Sequence, residues 1–179
     1  MKHILKRLGV CLLAVAVPAF GASDVQWHEI RSPEYGFAIS TPCDAEEIEV
    51  QKNEAVLIQS CDKSGVSFTV ISGETKKLTF GGKVSNFSYD YLLSNTTTNA
   101  QAAHFTDPVQ LTIDGRRAFS TKQNRQGGVV YNQTVELNAE HILILLAGCG
   151  PARQSSACKD DDQLQAAANR FFKSIRVLD

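Results

Sequence analysis

Nowhere does this 179-residue sequence stay apolar for the ~20 residues that a bilayer-spanning helix takes. The apolar run Leu8 to Val17 is too short, and no later segment is apolar enough. Also missing are the short motifs of common catalytic sites. There is no G-x-S-x-G for a hydrolase serine, no G-x-G-x-x-G, and no G-x-x-x-x-G-K-[ST] phosphate loop. The nearest match, Gly81-Gly82-Lys83, has no earlier glycine at the right distance, and Val84 stands where the loop needs Ser or Thr. It reads as a loop. No C-x-x-C is present, and no two histidines are close in sequence, so neither a thioredoxin-like site nor a cysteine–histidine zinc site is written here. Internal repeats are absent.

A basic excess is lacking as well. The chain has 18 Lys+Arg against 19 Asp+Glu. Lys2, Lys6 and Arg7 precede the apolar run, and Ala19 and Gly21 fit the −3 and −1 positions of a cleavage before Ala22. Val17 and Ala19 would allow a cut before Phe20 instead. Residues 1–21 therefore read as a removed secretory signal. Cys11 lies too early in the run, after Val10, to be a lipid-anchored cysteine. Losing the three signal cations leaves 15 positive against 19 negative side chains, a net charge of −4. This argues against nucleic acid as a partner, which selects basic surfaces. Residues 22–179 form one expected domain, exported to the periplasm or the outside of a bacterium.

Removing the signal also removes Cys11 and leaves Cys43, Cys61, Cys149 and Cys158. Four cysteines in an exported chain read as two disulfides, and sequence alone does not choose among the three pairings. The expected pairs are Cys43–Cys61 and Cys149–Cys158, each close in the chain and flanking an element end. A cysteine nucleophile would need a nearby base and would have to escape pairing.

What remains is a pattern of short strands with two helices. Phe37 and Ile39 alternate with Ala38 and Ser40. Residues 55–61 form a second strand, and Lys63-Ser64-Gly65 turns the chain into Val66, Phe68 and Val70 on one face. Residues 76–83 are expected as a loop. Ser85 could cap a helix that buries Phe87, Tyr91 and Leu92 and ends near Asn95–Asn99. A meander follows: 109–113, the Asp114-Gly115 turn, 116–123, the Gly127-Gly128 turn and 129–137. In its last strand Val129, Tyr131, Val135 and Leu137 share one face. Val130, Asn132, Thr134 and Glu136 share the other, expected to be wet. His141 to Gly148, apolar on both faces, should be a central strand. Asp160-Asp161-Asp162 suits a helix start, with Leu164, Ala168, Phe171 and Ile175 at i, i+4, i+7 and i+11. The triple aspartate lacks the alternate acids, glycine and distal Glu of a calcium loop.

Trp27 with "SPEYGFAISTPCDAEE", and the closing "ANRFFKSIRVL", resemble the opening and the ending of the PsbP-like family. The order of strands, helix and meander between them is also similar. The resemblance implies an α+β fold: an α/β/α sandwich with a central, mainly antiparallel β-sheet. That fold recurs in photosystem accessory subunits, a nuclear GTPase-binding protein and bacterial envelope proteins, mostly as binding or assembly modules rather than enzymes. It does not imply the two disulfides, which are not general in the family.

The expected function is thus a non-enzymatic binding or assembly module of the cell envelope, with no cofactor and no metal. Its partner would be another envelope protein or a small ligand. The alternative is a small secreted hydrolase whose acid and base converge only in the fold. His28, His104 and His141 have no motif partner, and the acids Asp44, Glu46, Glu47 and Glu49 read as solvated. Arg116, Arg117, Lys122 and Arg125 collect on one hairpin and are the candidate surface for an anionic partner.

Overall fold

The computed structural model describes residues 25–178, apart from 54, 77–78, 81–82, 85–86, 102, 126–127 and 150–160. Residues 1–21, expected as a signal, and Cys158 thus lie outside the described residues. Among those described, the strands are β1 (His28–Ser32), β2 (Phe37–Thr41), β3 (Glu49–Lys52), β4 (Val56–Lys63), β5 (Val66–Glu74), β6 (Thr79–Phe80) and β7 (Lys83–Val84). After helix α1 (Tyr89–Thr98) come β8 (Val109–Ile113), β9 (Arg116–Arg125), β10 (Gly128–Glu136) and β11 (His141–Cys149). Helix α2 (Asp161–Lys173) and β12 (Arg176–Val177) close the chain. This is an α+β fold built mostly from antiparallel sheet.

Seven strands form the main sheet in the order β3-β4-β5-β11-β10-β9-β8. β11 sits at its middle, as its two-faced apolar sequence requires, with Ile142, Leu143, Leu145 and Ala147 fully buried. A three-stranded sheet, β1-β2-β12, packs beside it, and β6 pairs with β7. That last pair occupies part of the stretch expected as loop. Two hairpins of the main sheet turn on two residues each, Ser64-Gly65 and Asp114-Gly115. All four residues have positive φ (53°, 79°, 47° and 76°), as the tight hairpin turns that match strand twist require.

One face of the main sheet carries Leu143, Leu145 and Ala147 against Leu164, Ala168, Phe171 and Phe172 of α2. Phe171 lies edge-on to Phe68 of β5 at 5.2 Å between ring centres. The period read from the sequence places the buried face of α2 at Leu164, Ala168 and Phe171; Ile175, expected on the same helix, is buried but lies past the helix end at Lys173.

The opposite face corrects two expectations. Helix α1 starts at Tyr89, and its cap is Ser88, whose Oγ accepts the Tyr91 N–H at 3.3 Å. Ser85 lies outside the described residues. The start point decides which tyrosine is buried. Tyr89 is 3% exposed, with its hydroxyl donating to the Ala118 carbonyl at 3.1 Å, whereas Tyr91 is 47% exposed. The second correction concerns the wet face. Val130, Asn132, Thr134 and Glu136 are partly or fully buried, Thr134 to 2% exposure. Phe87, just before α1, and Leu92 within it cluster on this side with Ile71, Ile142 and Ile144. A helix therefore covers a face whose composition looks solvent-facing.

Candidate binding cleft

Cys43 and Cys61 form a disulfide. It ties the end of β2, in the small sheet, to β4 in the large one. Both cysteines are buried in the shared core, at 0% and 7% exposure. Cys149 is also disulfide-bonded, and with Cys158 outside the described residues the expected Cys149–Cys158 pair is not described.

The four candidate cations do not share a surface. Side chains alternate along β9, so Arg116 and Lys122 project to the α2 side and Arg117 and Arg125 to the α1 side. Arg117 reaches Glu136 at 2.7 Å and Asp90 at 2.9 Å, and its guanidinium lies 4.5 Å from the Tyr89 ring centre. The hydrogen bonds to Glu136 and Asp90 push its pKa up. Lys122 donates to Asp161 of α2 at 2.6 Å, and Tyr131 donates its hydroxyl to the same carboxylate at 2.9 Å. These contacts hold the Asp161 pKa below its ordinary value, the Lys122 bond foremost. Arg125 donates to Gln123 at 2.6 Å. Arg117 and Lys122 thus fasten the two helices to opposite faces of the sheet.

The histidines are also separated. His28 pairs with Asp44 at 3.1 Å, His104 is exposed with a positive φ of 55°, and His141 stands at the start of β11. Asp44, Glu46, Glu47 and Glu49 are all exposed, and Glu47 is bonded to Lys63 at 2.7 Å. Among the described residues no group of three or more His, Cys, Asp or Glu could hold a metal ion. No helix among them is long and apolar enough to cross a membrane.

His141 belongs to a concave site that the sequence did not reveal. Across the sheet, Glu74 of β5 faces His141, and Leu137 donates its N–H to the His141 carbonyl at 3.1 Å. Continuing the β9–β10 register past Val135 and Ala118 puts Arg116 opposite Leu137. Arg116, Leu137 and His141 therefore form a row on the α2 side, at one end of the sheet. The short helical turn Pro33–Tyr35 and the chain after β12 close over this row. Gly36 makes the approach possible: its φ is 72°, and Leu178 donates its N–H to the Gly36 carbonyl at 2.9 Å. The open cleft measures about 280 Å³ and is lined by these residues with Glu34, Asn138 and Val177.

Two of its walls are chemically fixed. The Asn138 side-chain oxygen accepts N–H groups from Glu140 at 2.9 Å and His141 at 3.0 Å, and lies 3.2 Å from His141 Nδ1. Glu34 is bonded to Lys52 at 2.7 Å, and Lys52 also sits over the Tyr35 ring at 5.4 Å.

No family model matches the chain, and no curated protein matches it. A solved structure is similar. It belongs to PA94, a Pseudomonas aeruginosa protein of unknown function. The two share 14% identity over 79% of this chain and 92% of that one, with a TM-score of 0.35. So loose a likeness carries no argument about function.

Only fragments of the cleft could have been read in advance. Tyr35-Gly36 marks a glycine between two aromatics, and Asn138 three residues before His141 is a side-chain-to-backbone turn signal. That the two segments meet, 105 residues apart, was not written locally.

Proposed function

We propose that this chain is an exported, non-enzymatic binding module of the cell envelope, with the two-sided helix–sheet–helix arrangement of the PsbP-like family. The observation that supports binding most directly is the cleft beneath Tyr35. It is concave, preformed between two sheets, apolar along Leu137, Val177 and Leu178, and set with a few polar groups. Ligand sites have this composition. Its volume of about 280 Å³ lies just below their usual range of roughly 300–1,000 Å³. The buried Cys43–Cys61 bond supports export, because such bonds persist in oxidising compartments. The helices on opposite faces of an antiparallel sheet support the family reading.

Two measurements test this. Expression of the full chain in a bacterium, with sequencing of the periplasmic product, should give an N-terminus at Ala22 or Phe20. Retention of Met1 in a cytoplasmic product would overturn export. Amide NMR of the mature protein against a set of neutral and charged fragments should move the signals of Gly36, Asn138, His141 and Leu178 together. If fragments instead gather at another face, the cleft is not the binding site.

A further inference from the structure

An edge strand offers its outer backbone groups to any chain that can pair with them, and proteins usually guard such edges with charge, proline or a bulge. The two edges of the main sheet are β3 and β8, and they are guarded differently. β3 is four residues long and carries Glu49 and Lys52. β8 reads Val-Gln-Leu-Thr-Ile, with no charge at any of its five positions. Among the described residues no strand pairs with its outer side. Gln110 and Thr112 are exposed, and Val109 is 65% exposed, the highest of any large apolar side chain described.

The hairpin decides which backbone groups are open. Its two-residue turn, Asp114-Gly115, makes Ile113 and Arg116 a hydrogen-bonded pair. Such pairs alternate along an antiparallel ladder, so Val109, Leu111 and Ile113 direct their N–H and C=O groups to β9. Those of Gln110 and Thr112 point outward. Leu111 and Ile113 pack against the main core. Val109, Leu111 and Ile113 therefore lie on the α2 side, and Gln110 and Thr112 on the α1 side.

Antiparallel pairing of β8 with β8 of a second copy has one register that overlaps all five residues, with the two-fold axis at Leu111. Gln110 then stands opposite Thr112 twice. These are the residues with open backbone groups, so four N–H···O=C bonds form. On the α2 side Leu111 meets Leu111, and Val109 meets Ile113 twice; on the α1 side each amide meets a hydroxyl. No like charges face each other. Moving the axis to Gln110 sets Pro108, which has no N–H, opposite Thr112, and sets Asp107 opposite Ile113. Moving it to Thr112 sets Gln110 opposite Asp114, whose carboxylate already accepts the Val177 N–H at 2.9 Å.

We propose that β8 is a self-association edge: two copies pair antiparallel through Val109–Ile113, centred on Leu111, and join their seven-stranded sheets into one. Five residues a side is far fewer than the roughly 20–30 of a standard interface, so the dimer is weak and concentration-dependent.

Sedimentation equilibrium of the mature protein from about 10 μM to about 1 mM, the range of weak complexes, should show the mass rising from one chain toward two. It should not pass two, because a two-fold pairing closes on itself. Thr112→Pro removes an outward N–H, and by symmetry two of the four bonds. It should weaken the dimer about tenfold or more, with the melting midpoint of the monomer nearly unchanged. Gln110→Lys with Thr112→Lys sets like charges opposite each other twice, and should weaken it about three- to tenfold. Gln110→Glu with Thr112→Lys sets opposite charges together twice, and should pair at least as tightly as the unaltered chain. A mass of one chain at about 1 mM overturns self-association and leaves the edge to a strand of another protein. A dimer indifferent to both charge pairs joins through another surface, which overturns the role of β8. Weakening by both charge pairs overturns the register, and a mass that grows past two chains overturns the two-fold pairing. The charge pairs alter only exposed side chains, so they decide the matter even if Thr112→Pro unfolds the protein.

Discussion

Removing the Cys43–Cys61 cross-link should cost this protein a large share of its stability, and the size can be worked out. The two cysteines are 18 residues apart. In the chain-entropy treatment, a loop of that length takes about 11 cal/mol/K from the unfolded chain, or about 3 kcal/mol at 25 °C. Both cysteines are buried, so Cys43→Ala with Cys61→Ala also removes two packed sulfurs. Comparison with Cys61→Ala alone isolates the packing cost of Cys43. A typical urea slope of about 2 kcal/mol/M converts 3 kcal/mol into a midpoint shift of about 1.5 M. Burial adds a kinetic expectation. Little of either cysteine is exposed, so this bond should be reduced slowly while the fold is intact. Two results would refute the reasoning: a double variant whose urea midpoint falls by less than about 0.5 M, or rapid reduction of this bond without denaturant.

Three further expectations follow from named contacts. Phe171→Ala removes a ring that is 1% exposed, and should cost about 3–5 kcal/mol, lowering the melting midpoint by about 6–20 °C; a change of a degree or two would mean that α2 is not held by this face. Asp161 has its pKa held below the ordinary 3.8, so its contribution is present above that value and lost as pH falls through the depressed one. The stability gap to Asp161→Asn should therefore be flat above about pH 5 and close in acid. With the carboxylate half exposed, the gap should be about 1 kcal/mol or less, and a gap that widens in acid would refute the Lys122 pairing. Arg117→Glu would set a carboxylate against Glu136 and Asp90 and lose the Tyr89 stack, costing about 1–2 kcal/mol, whereas Arg125→Glu should stay within about 0.5 kcal/mol in the same melts.

The sequence by itself determined the elements whose cause is local. The i, i+4, i+7 apolar spacing of Leu164, Ala168 and Phe171 made α2 amphipathic, and that face is the one buried. The two-sided apolar run at His141 required a strand covered on both sides, and it lies at the middle of seven. Ser64-Gly65 and Asp114-Gly115 fixed their turns through positive φ. Arg116, Arg117, Lys122 and Arg125 were expected as one surface, although parity along β9 already separates Arg116 and Lys122 from Arg117 and Arg125.

The tertiary structure decided whatever depends on a partner far along the chain. Arg117 and Lys122 look like surface charges until Asp90, Glu136 and Asp161, between 19 and 39 residues away, arrive to bind them. The face bearing Asn132 and Thr134 looks wet until α1 lies over it, and which tyrosine α1 buries depends on the residue at which it starts. The cleft is the extreme case. Gly36 and His141 carry weak local signals, and only the docking of the small sheet against the large one makes them neighbours. Short-range spacing fixes which way a side chain points, but long-range chain closure fixes what it meets.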